Sequence, residues 1–266
     1  MIKSSQKNKI IGGALLLLQV ALLAAIFFML INSRYEDRLY DTFVSKVVKP
    51  GMSQEEKALS LLHATHALLM PRYEIWGERL NLGVRERLFL SADSELLEAR
   101  WRCASLSHVL CRALQRAGFT ARIAQMKSRN IWGGHVLLEA KIKDEWVALD
   151  PLYDLYFVRS DRRLASINDI RQNWEYFKKQ VPVDYDESYK YEDIRYSNWG
   201  KIPVIMPLIK SVLSAFMGEE NAERISLRAA FLNLYKVYAV LLSILYIFIL
   251  FLSVSRMAWG RRKDNG

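Results

Sequence analysis

The sequence predicts an α+β domain held between two membrane-spanning helices. Three observations carry that expectation. Long charge-free apolar runs lie near both ends of the 266-residue chain. An amphipathic helical stripe follows the first cysteine, and three short segments of strand character follow the stripe. Helix followed by strand meander is an α+β pattern.

Residues 10–31, "IIGGALLLLQVALLAAIFFMLI", hold no charge and one strongly polar residue, Gln19. The run is long enough to cross about 30 Å of hydrocarbon. A cleaved leader would pair a shorter apolar run with small residues at a processing site. This run leads into "NSRYEDR" and is read as a retained anchor. The second span covers residues 232–254, where "VYAVLLSILYIFILFLSV" is again uncharged. Lys236 stands at its start, and its stem can snorkel to the interface.

Lys3, Lys7 and Lys9 precede the first span; Arg256, Arg261, Arg262 and Lys263 follow the second, with Asp264 the one acid among them. That cation excess assigns residues 1–9 and 255–266 to the cytoplasm and residues 32–228 to the outside, in a periplasm or at a cell surface. It also accounts for most of the formal charge of +10. The segment between the spans is only mildly basic, which gives no ground for a nucleic-acid partner.

After a polar stalk, "NSRYEDRLYDTF", the stretch "SQEEKALSLLHATHALL" carries a capping-box pair, Ser53 and Glu56, and apolar residues at helical spacing. It is expected to be a helix ending before Pro71. His63 and His66 lie one turn apart on it, a spacing open to metal ligation or to two half-buried helix histidines. "SADSELLEARW" reads as a short helix with acids in its first turn. "ASLSHVLCRALQRAG" is the strongest helix: Leu106, Val109, Leu110, Ala113, Leu114 and Ala117 form its stripe and Gly118 its stop. "TARIAQM", "HVLLEAKI" and "EWVALD" then read as an antiparallel set.

"SINDIRQNWEYFKKQ" is expected to be a helix capped by Ser166 or Asn168. The tyrosine-dense "VPVDYDESYKYEDIRYSNWG" has no period and reads as a loop over the surface. Residues 200–218, including "IPVIMPLIKSVLSAFM", fit either an interfacial segment on the membrane or an internal packing helix.

Both cysteines fall in "WRCASLSHVLC". Along one helix Cys103 and Cys111 stand about 12 Å apart, too far for a disulfide, and no short ligand spacing favours a metal. Nucleophilic catalysis needs a thiolate, a base and a group that orients the base. His108 is about 140° around the helix from Cys103 and faces elsewhere. His135 opens a strand after Gly133-Gly134, and Asp150 closes a later strand before Pro151; adjacent antiparallel strands can hold the two side by side. Cys103 is at the first turn of its helix, a position that favours a thiolate, whereas Cys111 lies inside the stripe and reads as core.

This order of elements resembles the transglutaminase-like superfamily, relatives of the papain-like peptidases. The motifs are a cysteine at a helix start ("CASLS", with the helix running to "RAGFTARIAQM"), a histidine beginning a strand ("GGHVLLEAKI"), and W-x-x-L-D-P ("WVALDP", Trp146 to Pro151). Arg102 stands where the family often has a small residue, and Ala104-Ser105 where Gly-Asp or Arg-Asp is common.

The resemblance implies an α+β papain-like core over about 53–180, with the cysteine helix packed on an antiparallel sheet and a triad of Cys103, His135 and Asp150. Trp76 and Trp101 become candidate pocket walls or oxyanion donors, with core packing the ordinary alternative. The implied function is thiol acyl transfer on an amide by a bacterial-type inner-membrane protein, with hydrolysis of a peptide or peptide-like amide preferred to transamidation. That chemistry calls for no metal or organic cofactor. The alternative is an idle scaffold of the same fold that binds a partner in envelope or secreted-polymer assembly.

Overall fold

The structure, a computed structural model, describes residues 4–76, 92–99 and 101–264. It divides into two compact units: residues 37–232, and residues 1–36 together with 233–266.

The first helix, α1 (Ser4–Val47), contributes to both units. The expected polar stalk is a continuation of this helix. Tyr40, Phe43, Val44 and Val47 recur at helical spacing and pack into the domain core. The buried Tyr40 hydroxyl donates to the Ala92 carbonyl at 2.8 Å, and Arg116 clasps Asp41 through two hydrogen bonds of 2.6 and 2.7 Å.

In α2 (Gln54–Trp76) the Ser53/Glu56 capping box forms as expected. The helix does not stop before Pro71 but runs past it. Leu69 is fully buried and Met70 and Tyr73 pack beside it, so tertiary packing outweighs the hydrogen bond that proline removes. After α3 (Ala92–Glu98) comes α4 (Cys103–Arg116), which buries Leu106, Val109, Leu110, Ala113 and Leu114, the expected stripe. Gly118, at φ 89°, ends it in the left-handed conformation that favours glycine.

Three antiparallel strands follow: β1 (Ala121–Ser128), β2 (Ile131–Ile142) and β3 (Glu145–Asp150). Their two-residue turns, Arg129-Asn130 and Lys143-Asp144, have positive φ at both positions, the conformation that matches strand twist in tight hairpins. The short β4 (Leu155–Tyr156) and, later, β5 (Ile194–Arg195) complete a sheet of order β4-β3-β2-β1-β5.

The sheet has a core on each face. Ile123, Leu138, Ala140, Val147 and Leu149 meet α2 and α4. The alternate residues Ala124, Met126, Leu137 and Ala148 meet a second layer made of Phe157, Ile170, Phe177, Tyr185 and Tyr191. The expected helix over "SINDIRQNWEYFKKQ" is two short ones, α5 (Ile167–Gln172) and α6 (Trp174–Phe177), followed by a 3₁₀ turn. They break at Asn173, whose φ of −139° is not helical. Ser166 is the cap, paired with Asp169.

The tyrosine-dense stretch is not a surface loop. Tyr191 is wholly buried and Tyr185 nearly so, and β5 emerges from the stretch to pair with β1. The domain closes with α7 (Ile205–Met217), α8 (Glu219–Glu223) and α9 (Leu227–Ala230).

The other unit joins the N-terminal part of α1 to α10 (Leu234–Asp264). Both helices are long and apolar enough to cross a membrane, and their apolar side chains are largely exposed. Gln19 donates to Ser253 Oγ at 2.9 Å and Asn233 to Ser33 Oγ at 3.1 Å. Such polar pairs join helices where no water competes for them.

Candidate functional site

Cys103 is the first residue of α4, and its side chain is partly exposed. Arg102, the residue before the helix, has φ 41° and makes no side-chain cap. Its guanidinium lies 5.4 Å from the centre of the Tyr73 ring. Cys103 therefore stands at the positive end of the helix dipole, where the Ala104 N–H is already taken by the Trp101 carbonyl at 2.9 Å. Ser107, one turn on, donates to the Val136 carbonyl at 2.9 Å and ties α4 to the strand residue next to His135.

His135 does not open its strand. β2 starts at Ile131, and His135 follows a bulge at which the pairing with β1 slips between Met126 and Lys127. Gly134 makes the bulge possible, because a Cβ there would lie 2.7 Å from Ser128 Cβ. Beyond the bulge His135 shares the parity of Leu137 and belongs to the second face of the sheet.

Asp150 ends β3 on that same face. The buried His135 Nε2–H donates to its Oδ2 at 2.6 Å, a short charge-assisted bond. Oδ1 accepts the Leu152 N–H at 3.2 Å, and the Tyr185 hydroxyl makes a long 3.5 Å contact with Oδ2.

Burial is the largest influence on the imidazole and opposes its charge. The Asp150 carboxylate and its hydrogen bond, with the Cys103 thiol, outweigh burial and push the His135 pKa up to about 10. With Nε2 engaged, Nδ1 is the remaining nitrogen; it is buried and makes no full hydrogen bond. The arrangement is thus a sulfur at a helix start, an imidazole with raised proton affinity, and a carboxylate on the far nitrogen.

The unexpected part is an aromatic cover. Tyr189 stacks on the His135 ring at 4.2 Å and 12°, and Tyr153 and Tyr185 stand at 6.1 and 6.4 Å. Tyr185 and Tyr191 share a 2.8 Å hydroxyl contact. Burial holds the Tyr185, Tyr189 and Tyr191 hydroxyls well above the ordinary tyrosine pKa, so they stay neutral. The density of tyrosine in the sequence was the available signal for this cover.

Comparison of the chain with protein-family models, with curated proteins and with solved structures returns no match.

The remaining expected residues fall as follows. Cys111 is buried and its thiol is pushed up to about 12 by burial, which suits a core residue. His108 turns away to Glu95, 2.8 Å from Nδ1. His63 donates to Asp154 at 2.7 Å and His66 to the Pro151 carbonyl at 3.0 Å, so both grip the turn after Asp150. Among the described residues no three His, Cys, Asp or Glu side chains are grouped to hold a metal ion. Trp101 is not core: the residue is 47% exposed, two positions from Cys103. Trp76 ends α2, but its side chain lies outside the described residues.

Proposed function

We propose that the chain is a membrane-anchored cysteine enzyme of transglutaminase-like type, acting on an amide outside the cytoplasmic membrane. The observation that carries this reading is the buried 2.6 Å His135–Asp150 pair, with Cys103 close enough to raise the imidazole's affinity for a proton. The cation excess at both termini supports a two-pass topology with cytoplasmic ends.

In this mechanism His135 already holds the Cys103 proton on Nδ1 as a thiolate–imidazolium pair, in keeping with its raised proton affinity, and the thiolate sulfur attacks the amide carbonyl carbon. The carbonyl π pair moves to oxygen, where backbone N–H groups at the start of α4 stabilise it. Collapse breaks the C–N bond, and the leaving amine takes the proton from His135. Water then attacks the thioester carbon while the neutral His135 accepts its proton; collapse breaks the C–S bond, the carboxylic acid leaves, and the thiolate–imidazolium pair is restored. Asp150 holds the ring orientation throughout and balances the imidazolium. An amine in place of water would give transamidation; hydrolysis is the reading preferred here.

The test is a screen of peptide, cell-wall and secreted-polymer amides with the full chain and its Cys103→Ala variant. Turnover that vanishes in the variant supports the enzyme; turnover that persists contradicts it.

One observation favours the scaffold alternative. His135 is fully buried under Tyr189, a closed arrangement suited to a fold retained for partner binding in envelope or polymer assembly. On that reading Cys103→Ser leaves the cellular phenotype intact.

A further inference from the structure

We infer that α7 is a third membrane attachment, lying in the plane of the bilayer surface with its apolar side among the lipid acyl chains. None of its side chains is buried in the domain. Phe216 is 85% exposed, and Leu208, Ile205 and Val212 are also exposed. At 100° per residue these four, with Ile209 and Leu213, fall on one side, while Lys210, Ser211 and Ser214 fall on the other. A water-facing helix of this composition would lose stability by exposing so wide an apolar face.

The occupant follows from length, tether and charge. Thirteen residues make a helix of about 20 Å, too short to cross about 30 Å of hydrocarbon, so α7 is not another span. Only Gly218 to Asn233 separate it from Leu234, where the second membrane-capable helix begins. A bilayer that holds α10 is therefore within the reach of this short connection, at a high effective concentration. Many surface helices carry a row of cations for anionic headgroups. Here the one cation, Lys210, is paired with Glu223 and lies 3.6 Å from Glu219. Attachment rests on apolar insertion, and neutral lipid suffices.

The test uses the full chain in vesicles of phosphatidylcholine alone, doped with a phosphatidylcholine that carries a photoactivatable diazirine near the carbonyl end of its acyl chain. Adducts are mapped by mass spectrometry. The expected result is labelling at Leu208, Val212 and Phe216 with little at Ser211 and Ser214, besides labelling of α1 and α10. Adding phosphatidylglycerol should change the α7 adducts by less than about twofold, since Lys210, the one cation of α7, is already paired with Glu223.

Labelling confined to α1 and α10 would overturn the proposal. So would crosslinks between the α7 helices of two copies without lipid adducts, or labelling that requires the anionic lipid. A Leu208→Asp/Phe216→Asp variant should lose the α7 adducts and keep those of α1 and α10, which report that the chain is inserted. Ser211→Asp, on the polar side, should keep both sets.

Discussion

The contact between His135 Nε2 and Asp150 Oδ2 couples the stability of the domain to pH. The folded pKa of His135 stands above the ordinary imidazole value. Its contribution to stability is therefore complete below about 6.5 and is lost as pH rises through about 10. Asp150→Asn removes the charge that holds the proton and should cost about 3–5 kcal/mol at pH 6, as breaking a buried pair does. In thermal unfolding of the detergent-solubilised chain, the margin of wild type over this variant should narrow from pH 6 to pH 10. A margin constant across that range contradicts the assignment. Tyr189 acts through its ring, stacked on the imidazole. Tyr189→Phe should be nearly silent, whereas Tyr189→Ala should cost about 2 kcal/mol in the same melts, less than the loss of a fully buried aromatic.

Among the elements, the bulge in β2 is the most exposed to a single change. A methyl group at Gly134 meets Ser128 Cβ at 2.7 Å and two carbonyl oxygens at 3.3 Å. Gly134→Ala should therefore destabilise the domain by about 1–3 kcal/mol, and Ser128→Gly should restore part of the loss, a coupling that a double-mutant cycle measures. This element also shows where sequence reading works. The α4 stripe, the three central strands and the Ser53 cap were legible because each rests on a local period or a fixed spacing. The His135–Asp150 juxtaposition was legible because the two residues lie on adjacent antiparallel strands, although His135 sits inside β2 and not at its start. The helical continuation of α1 past residue 36 was hidden because Tyr40, Phe43, Val44 and Val47 are interleaved with charge. The run of α2 beyond Pro71 was hidden because packing overrode a local rule. The tyrosine cover was hidden because irregular backbone has no period, so its burial is decided by the surface it meets.

For the molecule as a whole, function depends on which side of a membrane the domain occupies. The flanking cations of the two apolar helices predict cytoplasmic termini. A reporter that is active only in the cytoplasm should work when fused after residue 266, and an export-dependent reporter there should be silent. The reverse pattern would place the domain in a reducing compartment and remove the topological support for an envelope substrate. The central claim, that Cys103, His135 and Asp150 act as one unit, is tested most directly by covalent labelling of the full chain with a thiol-directed active-site probe, read by intact mass. One adduct is expected on wild type, at Cys103, none on Cys103→Ala, and labelling slowed at least about 100-fold on His135→Ala, the usual weight of a positioned base. Labelling that persists in Cys103→Ala, or that proceeds equally fast without the His135 imidazole, would contradict it.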